Sequence, residues 1–240
     1  MEKDYIISID QGTTSSRAIL FNTHGKSLFK SQLEFKQYFP KNGWVEHDPE
    51  EIWKTTIQVV KDVINKCRKK NIKILTVGIT NQRETTVMWD KTNGKPVYKA
   101  IVWQDRRTAE FCKKFKTAKK EKIINRKTGL LIDPYFSGTK IKWILDNVPK
   151  AKKLAKYNQL LFGTVDTFLL WKLTKGKVHA TDATNACRTM LFNISTNKWD
   201  TDILKSLKIP KNILPAVKDS SDDFGFTDKS ITGTSYPING

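Results

Sequence analysis

The sequence predicts an α/β domain with a mixed sheet flanked by helices, and three observations carry that reading. Near the start, two short apolar segments, residues 5–9 and 17–21, flank a turn of small polar residues. A helix with a strong start signal opens at Asp48. An apolar run at residues 72–80 follows it, and from Asp105 onward the pattern is mostly helical. The order is neither a simple Rossmann nor a flavodoxin arrangement. At 240 residues, with 38% hydrophobic and 28% charged, the chain can bury a core and is neither disordered nor collagen-like.

The elements follow in order. Residues 5–9 read as a buried strand ending at Asp10, residues 17–21 as its return, and residues 28–35 as a third strand, an antiparallel meander. Asp48 is the N-cap of the helix, Pro49 its first residue, and Glu50 and Glu51 sit in its first turn. Ile52, Val59, Val60, Val63, Ile64 and Cys67 make its apolar stripe, and the cations Lys66, Arg68, Lys69 and Lys70 crowd its C-terminal end. Beyond the strand at 72–80, residues 85–89 and 97–103 flank Asn93-Gly94, which reads as a hairpin turn. Gly129, Pro134 and Pro149 break the helical stretch; residues 160–162 and 189–194 are later strand candidates. Residues 219–240 read as a polar, turn-rich tail.

Charge is the feature most open to misreading. Lys and Arg number 43 against 24 Asp and Glu, a formal net charge of +19. Only seven of the 43 are arginines, and the lysines are scattered. A groove reader needs the bidentate guanidinium fork, so the excess reads as a solvated surface rather than a nucleic-acid partner. No apolar run is long enough to span a bilayer; residues 160–173 are too few and carry Asp166. Cys67, Cys112 and Cys187 are widely spaced, which supports neither a disulfide framework nor a zinc site. The expectation is a reduced, cytoplasmic protein.

Chemistry concentrates at the ends of the predicted strands. In Asp10-Gln11-Gly12-Thr13-Thr14-Ser15, a carboxylate closes a strand and a turn of glycine and hydroxyls follows. Gly12 permits a sharp turn and close approach, successive N–H groups and the hydroxyls of Thr13, Thr14 and Ser15 suit phosphate oxygens, and Asp10 suits a hydrated magnesium ion. Arg17 can reach back with charge. An ordinary hairpin turn uses the same residue types. Asn81-Gln82-Arg83-Glu84 ends the next strand, where Arg83 beside Glu84 offers donors and acceptors for vicinal hydroxyls. Trp103 can floor such a pocket or be core, and Tyr135 projects from the turn before a helix.

These segments, with Gly43-Trp44-Val45-Glu46-His47-Asp48-Pro49, Trp103-Gln104-Asp105-Arg106-Arg107, residues 129–140 and Gly163-Thr164-Val165-Asp166-Thr167, resemble in order and separation the signatures of glycerol kinases within the FGGY carbohydrate kinases. The resemblance covers essentially the whole chain. It implies a fold of the actin, hexokinase and ribonuclease H type and makes residues 1–240 an N-terminal domain, with a second domain and the catalytic aspartate beyond Gly240. The isolated chain is then expected to be inactive. It further implies transfer of the ATP γ-phosphoryl group to glycerol, with Thr13, Thr14, Ser15 and Arg17 on the nucleotide phosphates and Asp10 at Mg2+. Arg83, Glu84, Trp103 and Tyr135 match its glycerol-binding positions, and no catalytic residue falls in this chain. A homo-oligomer is implied at full length. Ser235 stands where the bacterial pattern has the arginine that binds fructose bisphosphate, so that regulation is not carried over. Kinases of another polyol or ketose, and a non-catalytic nucleotide-binding module, are the alternative readings.

Overall fold

Four strands and one long helix form the frame on which the turn at residues 12–14 is mounted. The computed structural model describes residues 4–240. Strands β1 (Asp4–Gln11), β2 (Ser15–Asn22) and β3 (Ser27–Glu34) make the expected antiparallel meander. The short β4 (Glu46–His47) leads into helix α1 (Pro49–Lys69), which returns the chain to β5 (Lys73–Asn81), parallel to β1. The sheet order is therefore β3-β2-β1-β5. Asp48 caps α1 by accepting from the Glu50 N–H, and the whole predicted stripe of that helix is buried.

The remainder builds a second layer of short elements. Strands β6 (Val87–Asp90) and β7 (Ala100–Ile101) precede helices α2 (Ala109–Phe115), α3 (Ala118–Thr128), α4 (Ser137–Asn147) and α5 (Pro149–Lys156). Strand β8 (Leu160–Gly163) pairs with β6, and helix α6 (Val165–Leu173) follows. Then come β9 (Ala180–Asp182), α7 (Ala183–Ala186), the hairpin of β10 (Phe192–Asn193) with β11 (Lys198–Trp199), α8 (Thr201–Leu207), β12 (Ala216–Lys218) and α9 (Lys229–Thr232). No described helix is long and apolar enough to cross a membrane.

Two apolar clusters result, and the β6–β8 ladder is the wall between them. Val87, Trp89 and Leu161 face a cluster with β1, β2, α1 and α6, whereas Met88, Leu160 and Phe162 face one built largely from α4, α5 and α8. Successive strand residues point to opposite faces, so a strand between two cores is apolar throughout.

Three expectations change. Asn93-Gly94 does turn the chain, but in a four-residue loop: the Gly94 N–H donates to the Asp90 carbonyl and the Asp90 N–H to that of Lys95. Gly94 is required there, with φ +70° and the Trp171 ring where a Cβ would stand. Of residues 189–194 only Phe192 and Asn193 form a strand, because a 3₁₀ turn at Cys187–Thr189 and left-handed Met190 redirect the chain first. The tail is not merely polar turn. Its scattered apolar residues Phe224, Tyr236 and Ile238 are buried, and Ile238 pairs with Val77 beside β5.

Two histidines face little water. Burial holds both His47 and His179 down to about 4, against 6.5 when free. The unfolded chain thus binds more protons than the folded one between about pH 4 and 6.5, so stability rises with pH across that window and is lost on acidification. Urea unfolding across pH 4–7 should show it: near pH 5 the two imidazoles take up about two protons on unfolding and buried Asp166, held up to about 6, releases about one, for a net uptake of about one. A flat profile would mean that the imidazoles are more solvated than the fold places them.

Candidate active site

The β1–β2 turn brings together the residues predicted to meet phosphate. Asp10 and Arg17 face each other directly in the antiparallel register, and Arg17 donates to Asp10 Oδ2 through Nε at 3.1 Å and also through Nη2. The Gly12 N–H closes the turn on the Ser15 carbonyl at 2.9 Å. Gly12 is not in the left-handed region, and a Cβ there would meet only the Ser15 carbonyl, at an ordinary 3.4 Å. The turn therefore needs no glycine for its own shape, and the sequence-based reason survives only as close approach of a ligand.

A line of contacts runs from this turn into the predicted polyol pocket. Trp103 Nε1 donates to Thr13 Oγ1 at 3.2 Å, and the Trp103 and Tyr135 rings meet with centroids 5.5 Å apart. The Arg188 guanidinium lies 5.7 Å from the Tyr135 ring, and its Nε donates to Glu84 Oε1 at 2.6 Å. Thr13, Trp103, Tyr135 and Glu84 are thus brought together. Arg83 is not paired with Glu84: it is exposed and lines a cavity of about 370 Å³ with Asn81, Asp166 and Asp182. The guanidinium on Glu84 is that of Arg188. It lies 104 residues from Glu84, and nothing local marked it.

The pocket is held by its backbone as much as by its side chains. Glu84 is only 3% exposed and has φ +63°, a left-handed conformation costly for a residue with a side chain. The Ser137 hydroxyl, just inside α4, bonds its carbonyl at 2.9 Å. The wholly buried Lys140 donates to the Tyr135 carbonyl and is brought down to about 7 by burial. Trp103 leads into a buried ion network: Arg107, its side chain fully covered, reaches Glu46 Oε1 and Asp105 Oδ2, both at 2.8 Å. Its guanidinium stacks 3.8 Å from the Trp44 ring and 4.7 Å from that of Trp143.

In the neighbouring cavity Asp166 is pushed up to about 6 by burial, although the hydroxyls of Thr164 and Thr181 each donate to it at 2.5 Å. No group of three or more His, Cys, Asp or Glu suited to a metal occurs among the described residues. A magnesium ion would have one carboxylate, Asp10, and would take its other ligands from phosphate and water. That donor set fits this ion's habit, and both Arg17 bonds fall on Oδ2 alone.

Residues 5–235 match the model of the FGGY family of carbohydrate kinases, N-terminal domain. The chain belongs to that family. It is 58% identical over 236 residues to a glycerol kinase of Caldanaerobacter subterraneus subsp. tengcongensis, covering 98% of this chain and 48% of that protein. It is also 58% identical to a glycerol kinase of Petrotoga mobilis over 240 residues, again 48% of the relative. The chain thus spans about half the length of the curated relatives it matches. Among solved structures, the glycerol kinase of Plasmodium falciparum with ADP superposes with a TM-score of 0.95 at 34% identity, over 99% of this chain and 48% of that one. A xylulose kinase of Lactobacillus acidophilus shares the fold at TM-score 0.82 and 23% identity. The actin and hexokinase type of domain expected for this FGGY chain is accordingly the observed one, and a nucleotide-using kinase is the coarse reading its relatives support.

Proposed function

We propose that this chain is the N-terminal half of an enzyme that transfers the γ-phosphoryl group of ATP to a terminal hydroxyl of glycerol. The observation that supports it best is the unbroken path Thr13–Trp103–Tyr135–Arg188–Glu84, which joins the turn proposed for phosphate to the residues proposed for the polyol. Thr13, Thr14 and Ser15 offer hydroxyls and outward amides to the phosphates, and Arg17 offers charge. Asp10 would hold magnesium, which would supply charge neutralisation to the phosphates. Glu84 accepts from the polyol hydroxyls, Arg83 donates at the rim, and the Trp103 and Tyr135 rings pack on the carbon chain.

Phosphoryl transfer asks the protein chiefly to position reactants and stabilise spread charge. The nearby carboxylates of Asp10 and Glu84 are each committed to a guanidinium. By the same proposal the proton acceptor for the attacking hydroxyl lies in the other half of the enzyme. The curated relatives at 53–58% identity are all named glycerol kinase, which favours glycerol over a pentulose. The family's usual site in the cytoplasm and assembly into a homo-oligomer belong to the same proposal.

In the full-length enzyme, Glu84→Ala and Arg83→Ala are each expected to weaken glycerol use by about 1–3 kcal/mol, because a hydroxyl or its partner is left unsatisfied. Steady-state kinetics with glycerol and with a pentulose decide it. Unchanged glycerol dependence in both variants, or preference for the pentulose, overturns the assignment.

A further inference from the structure

The phosphate turn has a feature no ligand contact explains: its carbonyls are turned into the protein. The Gly12 carbonyl accepts from Gln82 Nε2 at 3.0 Å and from Gln11 Nε2 at 2.8 Å, and the Thr13 carbonyl accepts from Gln37 Nε2 at 3.1 Å. In a trans peptide the N–H points opposite to the C=O. The amides of Thr13 and Thr14 therefore face away from these glutamines, and among the described residues neither is bonded to another residue. Two outward amides in succession form the concavity that phosphate oxygens occupy.

Gln37 and Gln82 meet at His47. The ring's Nε2 lies 2.5 Å from Gln37 Oε1, and its Nδ1 lies 3.3 Å from Gln82 Nε2. Gln82 cannot turn its amide over, since its oxygen would then face the Gly12 carbonyl, an acceptor only. Its nitrogen thus faces His47 Nδ1, which must be the acceptor, and Nε2 must carry the proton given to Gln37. Gln37, with its oxygen so occupied, presents its nitrogen to the Thr13 carbonyl. Gln82 Nε2 has three acceptors around its two hydrogens, the Gly12 carbonyl, Gln11 Oε1 at 3.1 Å and His47 Nδ1, the last the most distant, and only a neutral ring with no hydrogen on Nδ1 avoids setting donor against donor there. His47 is fully buried, pinned in the two-residue β4 and edge-on to Phe35 at 5.1 Å, and burial keeps it in that form.

We infer that His47 is a positioning residue for the phosphate turn: it locks Gln37 and Gln82 in the orientations that draw the Gly12 and Thr13 carbonyls inward and leave the Thr13 and Thr14 amides aimed at phosphate. This rests on the reading of residues 12–15 as the phosphate site. A rigid ring with a donor on one side and an acceptor on the other suits the task, and an apolar side chain of similar size releases both glutamines.

The test uses the full-length kinase, with ATP, glycerol and inorganic tripolyphosphate as probes. His47→Leu should raise the KM for ATP and the inhibition constant of tripolyphosphate together, each about tenfold for the two bonds lost, with the glycerol KM unchanged. His47→Gln, which restores a donor and an acceptor, should recover most of that loss. Gln37→Ala frees only the Thr13 carbonyl and should show a smaller effect of the same kind. Equal loss for glycerol and ATP, or wild-type constants for tripolyphosphate in both His47→Leu and Gln37→Ala, overturns the role. If His47→Leu does not fold, the half-exposed Gln37→Ala decides by itself. A wild-type enzyme whose use of ATP tripolyphosphate does not oppose would instead sink the phosphate reading of the turn, a result separate from the behaviour of the variants.

Discussion

Replacing Thr13 with valine should slow phosphoryl transfer in the full-length enzyme by about 2–4 kcal/mol in activation terms, the loss expected for one oriented donor to developing charge. The volume hardly changes, and the backbone of the turn stays held by Gln37 and Gln82. The sequence draws the polyol-binding residues from other strands, so glycerol binding is expected to stay nearly the same. The structure modifies that expectation: Thr13 Oγ1 is the acceptor for Trp103 Nε1. Since Trp103 is half-buried, water can replace the lost acceptor, and glycerol affinity should fall by less than about 1 kcal/mol. Single-turnover rates alongside equilibrium binding of glycerol separate the two terms. A non-catalytic nucleotide module would lose nucleotide binding with no transfer rate to lose. Equal losses in rate and glycerol affinity would mean that the hairpin had been disturbed, returning the turn to a structural role.

The second large effect concerns stability. Arg107→Met should destabilise this chain by about 3–5 kcal/mol, because it strands two buried carboxylates without their cation. Asp105 and Glu46 are 1% and 6% exposed, so solvent screening gives little relief. Asp105 would keep its bond from the Val45 N–H at 2.6 Å, which limits but does not remove the penalty. The stacked Trp44 and Trp143 rings would retain an apolar neighbour, which isolates charge from packing. Urea unfolding at neutral pH measures it. A change below about 1 kcal/mol would show that water reaches the carboxylates despite their burial.

How far the sequence revealed this molecule depended on whether the signal was local. The meander, α1 and its buried stripe, and β5 were legible because alternation, capping residues and helical spacing each act within a few positions. Asp10 and Arg17 were correctly placed together, since a seven-residue separation across one hairpin brings them into register. Arg188 was not legible as the partner of Glu84, because their meeting depends on the 3₁₀ turn and left-handed Met190 that cut short the expected strand. Likewise Arg83 and Glu84, adjacent in sequence, were read as offering donors and acceptors together, yet Glu84 is buried against Arg188 while Arg83 is exposed beside Asn81 and Asp166. The tail misled for a related reason: Phe224, Tyr236 and Ile238 have no periodicity, and only the open edge of β5 gives them a place.

The indole at residue 103 has an optical consequence. Of the seven tryptophans in the chain, Trp44 and Trp143 have their faces covered by a guanidinium, and Trp89 is buried against Phe168 and Trp171. Trp103 alone ends on the hydroxyl of Thr13 while its ring lies beside Tyr135, so it straddles the seam between the two proposed ligands. An anion that claims the Thr13 hydroxyl changes the polarity at the indole nitrogen, and a polyol changes the surroundings of the ring. The molecule therefore carries its own fluorophore at the one point where arrivals from either side can be seen as light.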